Sequence, residues 1–315
     1  MRRMIVTRLG QLIPVLLGVT FLSFVIINIL PGNIALQILG NNSAPGALAQ
    51  LEQRLGLNQP IPLRYWHWLD SCLHGNLGFS LLTHQPVTQA IWSATPATVE
   101  LIIYAEFIAL FLTLTLAMWS VWTRSRILDR LITTISLAGI SIPGFVTGIV
   151  LLLIFSVKFR LVTSISYIPF SHGVFRNLAA MALPSVTLGL QLFPTQMRVL
   201  RGDMLEQLER EDYVALAKTK GLSKANVILK HVFKNSATSF VTLLSLQFGF
   251  LIGGAVIVEQ VFTINGIGSL LLDSIFNQDA TMVEGIILVV GVAVVLANLF
   301  ADIAGMLLDP RVRYE

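Results

Sequence analysis

Charged residues are scarce in this chain. Asp, Glu, Lys and Arg together account for 12% of its 315 residues, whereas soluble globular domains carry about 25%. Hydrophobic residues reach 55%, and the mean hydropathy is +0.77. So few charges cannot cover the surface of a water-soluble fold that contains so many apolar side chains. The composition therefore excludes an ordinary soluble domain and predicts a protein that lies in a lipid bilayer.

Several chemical signatures are missing as well. Cys72 is the single cysteine, so an internal disulfide is excluded. The sequence has no GxxxxGK[ST] loop to cradle nucleotide phosphates, and no HExxH or paired-cysteine metal motif. It also has no internal repeat and no polar segment long enough to bury a core of its own. We therefore expect one membrane domain over residues 1–315 without a catalytic site, and any energy from ATP must come from another chain.

Apolar stretches long enough to cross about 30 Å of hydrocarbon as helices recur along the chain. They predict six transmembrane helices, at about 9–30, 97–121, 131–157, 178–198, 237–258 and 284–306. The fourth is the weakest, because Pro184, Gln191 and Pro194 interrupt it. The first is too long for a signal peptide, and no small-residue cleavage site follows it, so we expect it to stay attached.

Basic residues are distributed unequally between the two sides that six spans define. Sixteen of the 21 Lys and Arg residues fall on the side of the termini, and the other five are Arg54, Arg64, Lys158, Arg160 and Arg176. Because cytoplasmic loops are rich in Lys and Arg, both termini are predicted to be cytoplasmic. The net charge of +4 follows from this topology. No basic patch with the context of a nucleic-acid site accompanies it.

The longest predicted outer segment covers about residues 31–96. Within it, Tyr65, Trp66 and Trp68 have amphipathic rings suited to the headgroup region of a membrane. This cluster predicts an interfacial helix at about 61–73. A surface that binds a partner protein is the alternative interpretation.

A charged stretch, EDYVALAKTKGLSKANVILKHVFKNS at 211–236, lies between two apolar spans. Good helix formers predict a first helix that ends at Gly221, whose backbone freedom suits a helix C-terminus. Ser223 can cap a second helix that runs to about Asn235. Ala217 and Gly221, four residues apart, would share a small-residue face that permits close approach of another protein. A cytoplasmic loop that only lies on the membrane is the alternative.

Four carboxylates lie within or near the predicted spans, where a charge costs about 3 kcal/mol and suggests a purpose. They are Glu100, Glu106, Glu259 and Asp302. Glu100 and Glu259 are candidates for lining a translocation pathway, and solvated or helix-capping carboxylates are the alternative. Asp302 is expected to pair with Arg198 or Arg201 between helices.

The fifth predicted span contains Gly249, Gly253 and Gly254. The GxxxG spacing of the first two allows close contact between helix backbones. That contact is either packing within this chain or contact with a partner along a pathway. In the outer segment that follows, Gly266 and Gly268 predict a tight bend ahead of an amphipathic run.

The order of the motifs resembles one family of membrane proteins. RLGQLIPVLLGVTFLSF opens the chain, PATVEL enters the second span, and SIPGF, LPSVTLGL, GGAVIVEQVF and LLDPRVRY follow in order. Among them lies DYVALAKTKGLSKANVILKHVFKN, which is similar to the cytoplasmic EAA loop of that family. The motifs cover nearly the whole chain. They resemble the inner-membrane permease subunits of binding-protein-dependent ABC importers of the dipeptide, oligopeptide and nickel group.

This resemblance implies an all-α integral membrane protein with six transmembrane helices and the type I ABC importer permease fold. The cytoplasmic loop, here about residues 201–236, would be the coupling helix that sits in a groove of an ATPase subunit. The residues at its characteristic positions are Asp212, Tyr213, Ala215, Ala217, Lys220, Gly221, Leu222, His231 and Asn235. Ala215 departs from the broader pattern, which has glutamate there, and Lys234 stands where many relatives have proline.

Partners and location also follow from the resemblance. It implies a second homologous permease subunit, two ATPase subunits, an extracytoplasmic substrate-binding protein and membrane lipid around the chain. ATP and Mg would be bound by the ATPase subunits, so no cofactor is expected in this chain. The implied location is a bacterial inner membrane.

No motif specifies the cargo. The resemblance favours di- or oligopeptides, with nickel or a metal chelate as the alternative. His67, Cys72, His74 and His84 have side chains that suit nickel, but their spacing fits no coordination motif, so no metal site is expected. A secondary transporter is the alternative from another class, and it would have ionisable relays deep in several spans.

Overall fold

The computed structural model describes residues 2–29, 46–54, 56–80, 82–160 and 167–308. Within these ranges the regular secondary structure is helical, apart from an isolated bridge between Phe79 and Pro86. The predicted all-α class is confirmed. Residues 31–45 of the predicted outer segment lie outside the described ranges.

The helices follow one another along the chain with short connections. They are α1 (Arg2–Ile29), α2 (Ala47–Arg54), α3 (Ile61–Leu73), α4 (Val87–Thr123), α5 (Arg126–Ser141), α6 (Gly144–Leu152, continued by the π-helical Leu153–Lys158), α7 (Val174–Arg210), α8 (Asp212–Thr219), α9 (Lys224–Val261), α10 (Ile267–Phe276) and α11 (Ala280–Leu308). A 3₁₀ turn, Phe170–His172, precedes α7. The predicted interfacial helix coincides with α3.

Among the described residues, four helices are long and apolar enough to cross a membrane. They are the segments Val87–Thr123, Val174–Arg210, Lys224–Val261 and Ala280–Phe300. These correspond to the second, fourth, fifth and sixth predicted spans. The third corresponds to α5 and α6, which meet the same criteria as a pair bent by 101°. The first falls on α1, in which Ile13–Ile29 is a shorter apolar helix.

The third predicted span is not one straight helix. Ile142, between α5 and α6, has an extended backbone with φ −92° and ψ 121°, and Pro143 precedes α6. Proline lacks an N–H and disfavours helical backbone at the residue before it, so α5 ends there. The single span expected over 131–157 was therefore wrong in shape, because Pro143 interrupts the apolar run.

Helix α7, in contrast, runs without interruption although Pro184 and Pro194 lie inside it. Of its membrane-length segment 61% is buried, against 28% for α4 and α9 and 22% for α11. Neighbouring helices therefore surround α7, and such neighbours can satisfy the backbone groups that a proline frees. The ring of Pro194 packs against α5 at Gly139, where an added Cβ would come within 2.6 Å of it.

By its internal contacts the chain forms two compact units, residues 1–96 with 269–296 and residues 97–268 with 297–315. The charged hairpin, Glu100, Glu106 and Glu259 all belong to the second unit.

In the first unit, α3 packs on α1 through Tyr65. The hydroxyl oxygens of Thr20 and Tyr65 lie 2.8 Å apart. The rings of Phe21 and Phe24 meet the Tyr65 ring edge-on, at centroid distances of 5.2 and 5.6 Å. Tyr65 is buried, whereas Trp66 on the opposite side of α3 is 67% exposed. Tyr65 therefore does not share the headgroup role predicted for the aromatic cluster.

In the second unit, α4 presents one buried ridge. Every fourth residue along it is buried, namely Ala97, Leu101, Ala105, Ala109, Thr113, Ala117 and Val121. An i, i+4 row is the ridge that packs between helices, and small residues let the partner backbone come close. The partner is α7, where a Cβ added at Gly189 would lie 2.9 Å from the carbonyl oxygen of Ala105. This contact forms part of the core that holds the candidate site.

Candidate functional site

The charged stretch forms a tight helical hairpin. Helix α8 ends before Gly221, whose φ is +75°, a conformation that favours glycine. The amide of Leu222 donates to the carbonyl of Ala217 at 3.3 Å and so closes the turn. The Ser223 side chain then accepts from the amide of Asn226 at 3.4 Å and caps α9. The turn at Gly221 and the cap at Ser223 are confirmed.

The predicted end of the second hairpin helix at about Asn235 was wrong. Helix α9 continues through a π-helical segment, Val227–Phe233, to Val261, 38 residues in all. No glycine or proline occurs between Lys224 and Phe248, so nothing stops the helix. Asn235 lies inside it, and its side-chain amide donates to the carbonyl of His231 at 2.9 Å. The change from polar to apolar sequence looked like a boundary, but it marks only a change of environment.

One side of the hairpin is packed into its own unit. Val214 and Ala217 of α8 and Val232 of α9 are buried in the main apolar core. The Tyr213 hydroxyl donates to the side chain of Gln207, and burial raises the pKa of this phenol. Because Ala217 points into the core, it does not share an outer face with Gly221. That expectation was wrong.

The opposite side is open. We call the exposed residues of the turn the outer hairpin face, and they are Ala215, Leu216, Lys220, Gly221 and Leu222. Leu216 is 55% exposed and Leu222 is 40% exposed. A Cβ added at Gly221 would meet no atom within 4 Å. Asp212 and Asn235 are also exposed, and His231 is half-buried. The hairpin thus presents an apolar pair beside a lysine.

Charged contacts fix the base of the hairpin. The Lys224 ammonium lies over the Trp122 ring at 5.5 Å from its centroid, and Arg124 pairs with Glu209 at 3.8 Å. Arg201 pairs with Asp129 and donates from Nε to the Ser120 hydroxyl at 3.1 Å.

The sequence prediction placed Arg201 or Arg198 opposite Asp302. The structure gives Arg201 a different partner in Asp129, which lies in the first turn of α5. The Asp302 side chain lies outside the described residues. Asp129 was missed because a carboxylate at a helix start looks like an ordinary partner of the helix dipole.

Glu259 is fully buried at the end of α9. Its Oε1 accepts from the Thr98 hydroxyl at 2.6 Å, and that hydroxyl accepts from the amide of Ile267 at 2.8 Å. An added Cβ at Gly266 would lie 2.3 Å from the Glu259 carboxyl carbon, and one at Gly268 would lie 2.6 Å from the Cα of Val256. The glycines are therefore needed for close approach. The positive φ in this bend belongs to Thr263, at 52°.

Glu100 belongs to a hydrogen-bonded network. Its two oxygens accept from the Tyr167 hydroxyl at 2.9 Å and from the Asn177 amide at 2.6 Å. Asn177 is fully buried, and its Oδ1 accepts from the Tyr104 hydroxyl at 3.0 Å. Burial and the bond to Glu100 raise the pKa of Tyr167 to about 12, so this phenol stays protonated and donates. The partners on α7 and in the preceding loop could not be inferred from spacing.

Glu106 lies deeper along α4. Its Oε1 accepts from the Gln196 side-chain amide at 3.0 Å, and that amide also donates to the Oε1 of Gln247 at 3.1 Å. Its Oε2 is buried and has no hydrogen-bond partner among the described residues. Residues from α4, α7 and α9 thus converge on one polar cluster inside the second unit. The sequence identified Glu106 but not the two glutamines.

The three glycines of α9 differ in their surroundings. Gly249 and Gly253 are exposed, and an added Cβ at either would meet nothing within 4 Å. Gly254 is buried, and its added Cβ would lie 2.9 Å from Leu188 of α7. Gly254 therefore serves packing within this chain, whereas the first two lie on an open face.

Apolar helices of membrane length, joined by an ordered hairpin with an exposed tip, define a polytopic helical membrane protein. Residues 109–314 match the family described as the inner membrane component of binding-protein-dependent transport systems, and residues 1–102 match its N-terminal region. The chain belongs to this family. It is therefore a permease subunit of a transport system that also includes an ATPase and a substrate-binding protein, and it resides in the inner membrane.

Similar proteins extend over the full length of the chain. A peptide transport system permease protein of Brucella abortus (strain 2308) is 34% identical over 315 residues, which is 100% of both chains. A peptide ABC transporter permease protein of Sinorhizobium fredii is 32% identical over 310 residues, 98% of this chain and 99% of that one. A glutathione transport system permease protein of Salmonella typhimurium is 34% identical over 311 residues, 99% of each.

Proposed function

We propose that this chain is the permease subunit of an ATP-driven importer of di- or oligopeptides and forms half of the translocation pathway. The names of its relatives support the cargo, since they refer to peptides and to glutathione. None of these three names refers to nickel, so the metal-chelate alternative gains no support from them. The chain itself hydrolyses no ATP and binds no cofactor. ATP and Mg are bound by two ATPase subunits.

The observation that carries this proposal is the continuity of α9. At about 1.5 Å per residue, a helix of 38 residues is about 57 Å long and reaches from the hairpin across the hydrocarbon. A force applied to the hairpin is therefore transmitted directly along a rigid span. The cap at Ser223 and the contact of Lys224 with Trp122 hold the start of that span in place.

The outer hairpin face is the docking surface for an ATPase subunit. Leu216 and Leu222 supply exposed apolar area, and Lys220 between them adds a positive charge. Exposed apolar patches rimmed by polar residues are typical of protein interfaces. Closure of the ATPases around ATP moves this face, and the two states differ in which side of the pathway is open.

A second, homologous permease subunit covers the open face of α9. Gly249 and Gly253 lie on it together with Leu246, Phe250 and Ile257, which are 76%, 61% and 44% exposed. Small residues at i and i+4 allow close helix crossings in a membrane. Glu100 and Glu259 remain proposed pathway residues, and both termini are cytoplasmic by the distribution of Lys and Arg.

Affinity purification of the tagged chain from its native membrane tests the docking surface. We expect a second permease and ATPase subunits to be retained in mild detergent and identified by mass spectrometry. Leu216→Asp introduces a charge at the centre of the face, so the ATPase should be lost while the second permease is kept.

Ile127→Asp is the matched control, because Ile127 is an equally apolar residue, 75% exposed, outside the hairpin. It should retain all partners. Equal retention of the ATPase by both variants would remove the hairpin from the interface. Recovery of the chain alone, under conditions that keep other complexes intact, would overturn the importer proposal.

A further inference from the structure

The first unit contains a cavity of about 320 Å³ beside α3. Its polar wall consists of Gln59, Arg64, His67, Trp68, Ser71 and Asn76, and its apolar wall includes Phe24 and Leu77. Cavities of this size are large enough for small ligands. The transport role described above makes no use of it.

The position of the cavity is set by the membrane helices. Phe24 lies near the end of α1, and Thr281 is the second residue of α11. The cavity therefore opens where one apolar helix ends and another begins, at the level of the lipid headgroups. On α3, Leu63, Trp66 and Leu73 are exposed to 45%, 67% and 79%. Such an apolar surface next to a charged residue is typical of helices that lie in the membrane interface.

The lining is suited to an anion. Arg64 supplies a permanent positive charge, His67 an imidazole, and none of the described lining residues is a carboxylate. One N–H of the Arg64 guanidinium donates to Asn28 Oδ1 at 2.6 Å, and a guanidinium has four further N–H donors. Burial lowers the pKa of Arg64, and Glu284 opposes this effect. Arginine remains charged at neutral pH.

The indole of Trp68 supplies a second donor. Its Nε1 is buried and has no hydrogen-bond partner among the described residues, although an indole N–H normally finds one when it is buried. The ring is held against Tyr65 and Phe24, at centroid distances of 5.8 and 5.9 Å. An unused, rigidly held donor beside Arg64 is what an oxyanion ligand would satisfy.

We propose that this cavity binds the phosphate headgroup of an anionic phospholipid, with Arg64 and Trp68 as donors to the phosphate. Phe24 and Leu77 contact the glycerol and the upper acyl chain. The bound lipid fixes α3 against the ends of α1 and α11. This site is independent of the cargo and of the docking hairpin, so either proposal can fail without the other.

Native mass spectrometry of the purified complex, titrated with phosphatidylglycerol, tests the site. Arg64→Gln should weaken phosphatidylglycerol binding about tenfold, because it removes a charge-assisted hydrogen bond. Trp68→Phe keeps the ring and removes the N–H, and should weaken binding about fivefold. It also tests the site if the Arg64 variant fails to fold. Arg176→Gln is the control, because it removes an exposed arginine outside the cavity, and it should bind as the wild type does.

Two further additions distinguish the source of the phosphate. Inorganic phosphate and glycerol 3-phosphate, at the concentration of the lipid, should not displace it. Displacement by either would show a site for free phosphate instead. Displacement by the purified substrate-binding protein would show a protein contact, and equal lipid binding by Arg64→Gln and Arg176→Gln would overturn the site altogether.

Discussion

At the scale of single residues, Glu259 and Gly266 form a matched pair. The carboxylate of Glu259 accepts from Thr98, and the absence of a side chain at Gly266 leaves room for it. A charge that is fully buried needs such partners, because an unpaired one would cost several kcal/mol. The bend after α9 is thus shaped by the carboxylate it encloses.

Gly266→Ala should lower the thermal stability of the detergent-solubilised chain, because its Cβ would lie 2.3 Å from the Glu259 carboxyl group. Overpacking of this kind costs about 1–3 kcal/mol. Gly253→Ala adds the same methyl group to open space and should have little effect. When Glu259 is already alanine, Gly266→Ala should cost clearly less, so additive losses in this double-mutant cycle would contradict the pairing.

Gly221 differs from its neighbours by its backbone and not by its surroundings. Gly221→Ala adds a Cβ to open space at φ +75°, a conformation that costs an L-residue about 1 kcal/mol. Amide hydrogen exchange over residues 217–224 should therefore become about fivefold faster. Gly202→Ala also adds a Cβ to open space, but inside α7 and without a positive φ, and should leave exchange in its segment unchanged or slower. Equal behaviour of the two variants would remove strain as the cause.

At the scale of elements, the ridge on α4 determines how closely α7 packs. Ala105→Leu should destabilise the chain by about 1–3 kcal/mol, because the larger side chain must be placed against Gly189 in a filled interface. Val99→Leu on the same helix, where Val99 is 45% exposed, is the control and should be neutral. Thermal unfolding followed by size-exclusion chromatography measures both. A neutral Ala105→Leu would mean that the helices are not in close contact.

Local signals predicted the elements that depend on local chemistry. Gly221 and Ser223 define the hairpin because a positive φ and a helix cap have strong residue preferences. Apolar length located the second, fourth, fifth and sixth spans.

The remaining features depend on tertiary contacts or on competing local effects. Pro143 breaks a helix, whereas Pro194 is accommodated inside one where it packs on Gly139, and composition alone does not separate the two cases. Asp129 pairs with Arg201 from a different helix. Ala217 faces the core because α8 folds back on α9, which no spacing rule could show.

At the scale of the whole molecule, the account joins a docking surface to a pathway. The hairpin is ordered on its inner side by the core and exposed on its outer side, so it can bind a partner without refolding. Helix α9 then connects this surface to the open glycine face and to Glu259. Permease function consequently depends on the hairpin although no cargo contacts it.

The most direct measurement is the uptake of a labelled dipeptide by proteoliposomes that contain the purified complex, with ATP inside and the substrate-binding protein outside. The account predicts uptake that requires both components, is blocked by vanadate and is lost in Leu216→Asp but kept in Ile127→Asp. Uptake that persists without ATP and stops when the proton gradient is collapsed would contradict it, because the chain would then act as a secondary transporter.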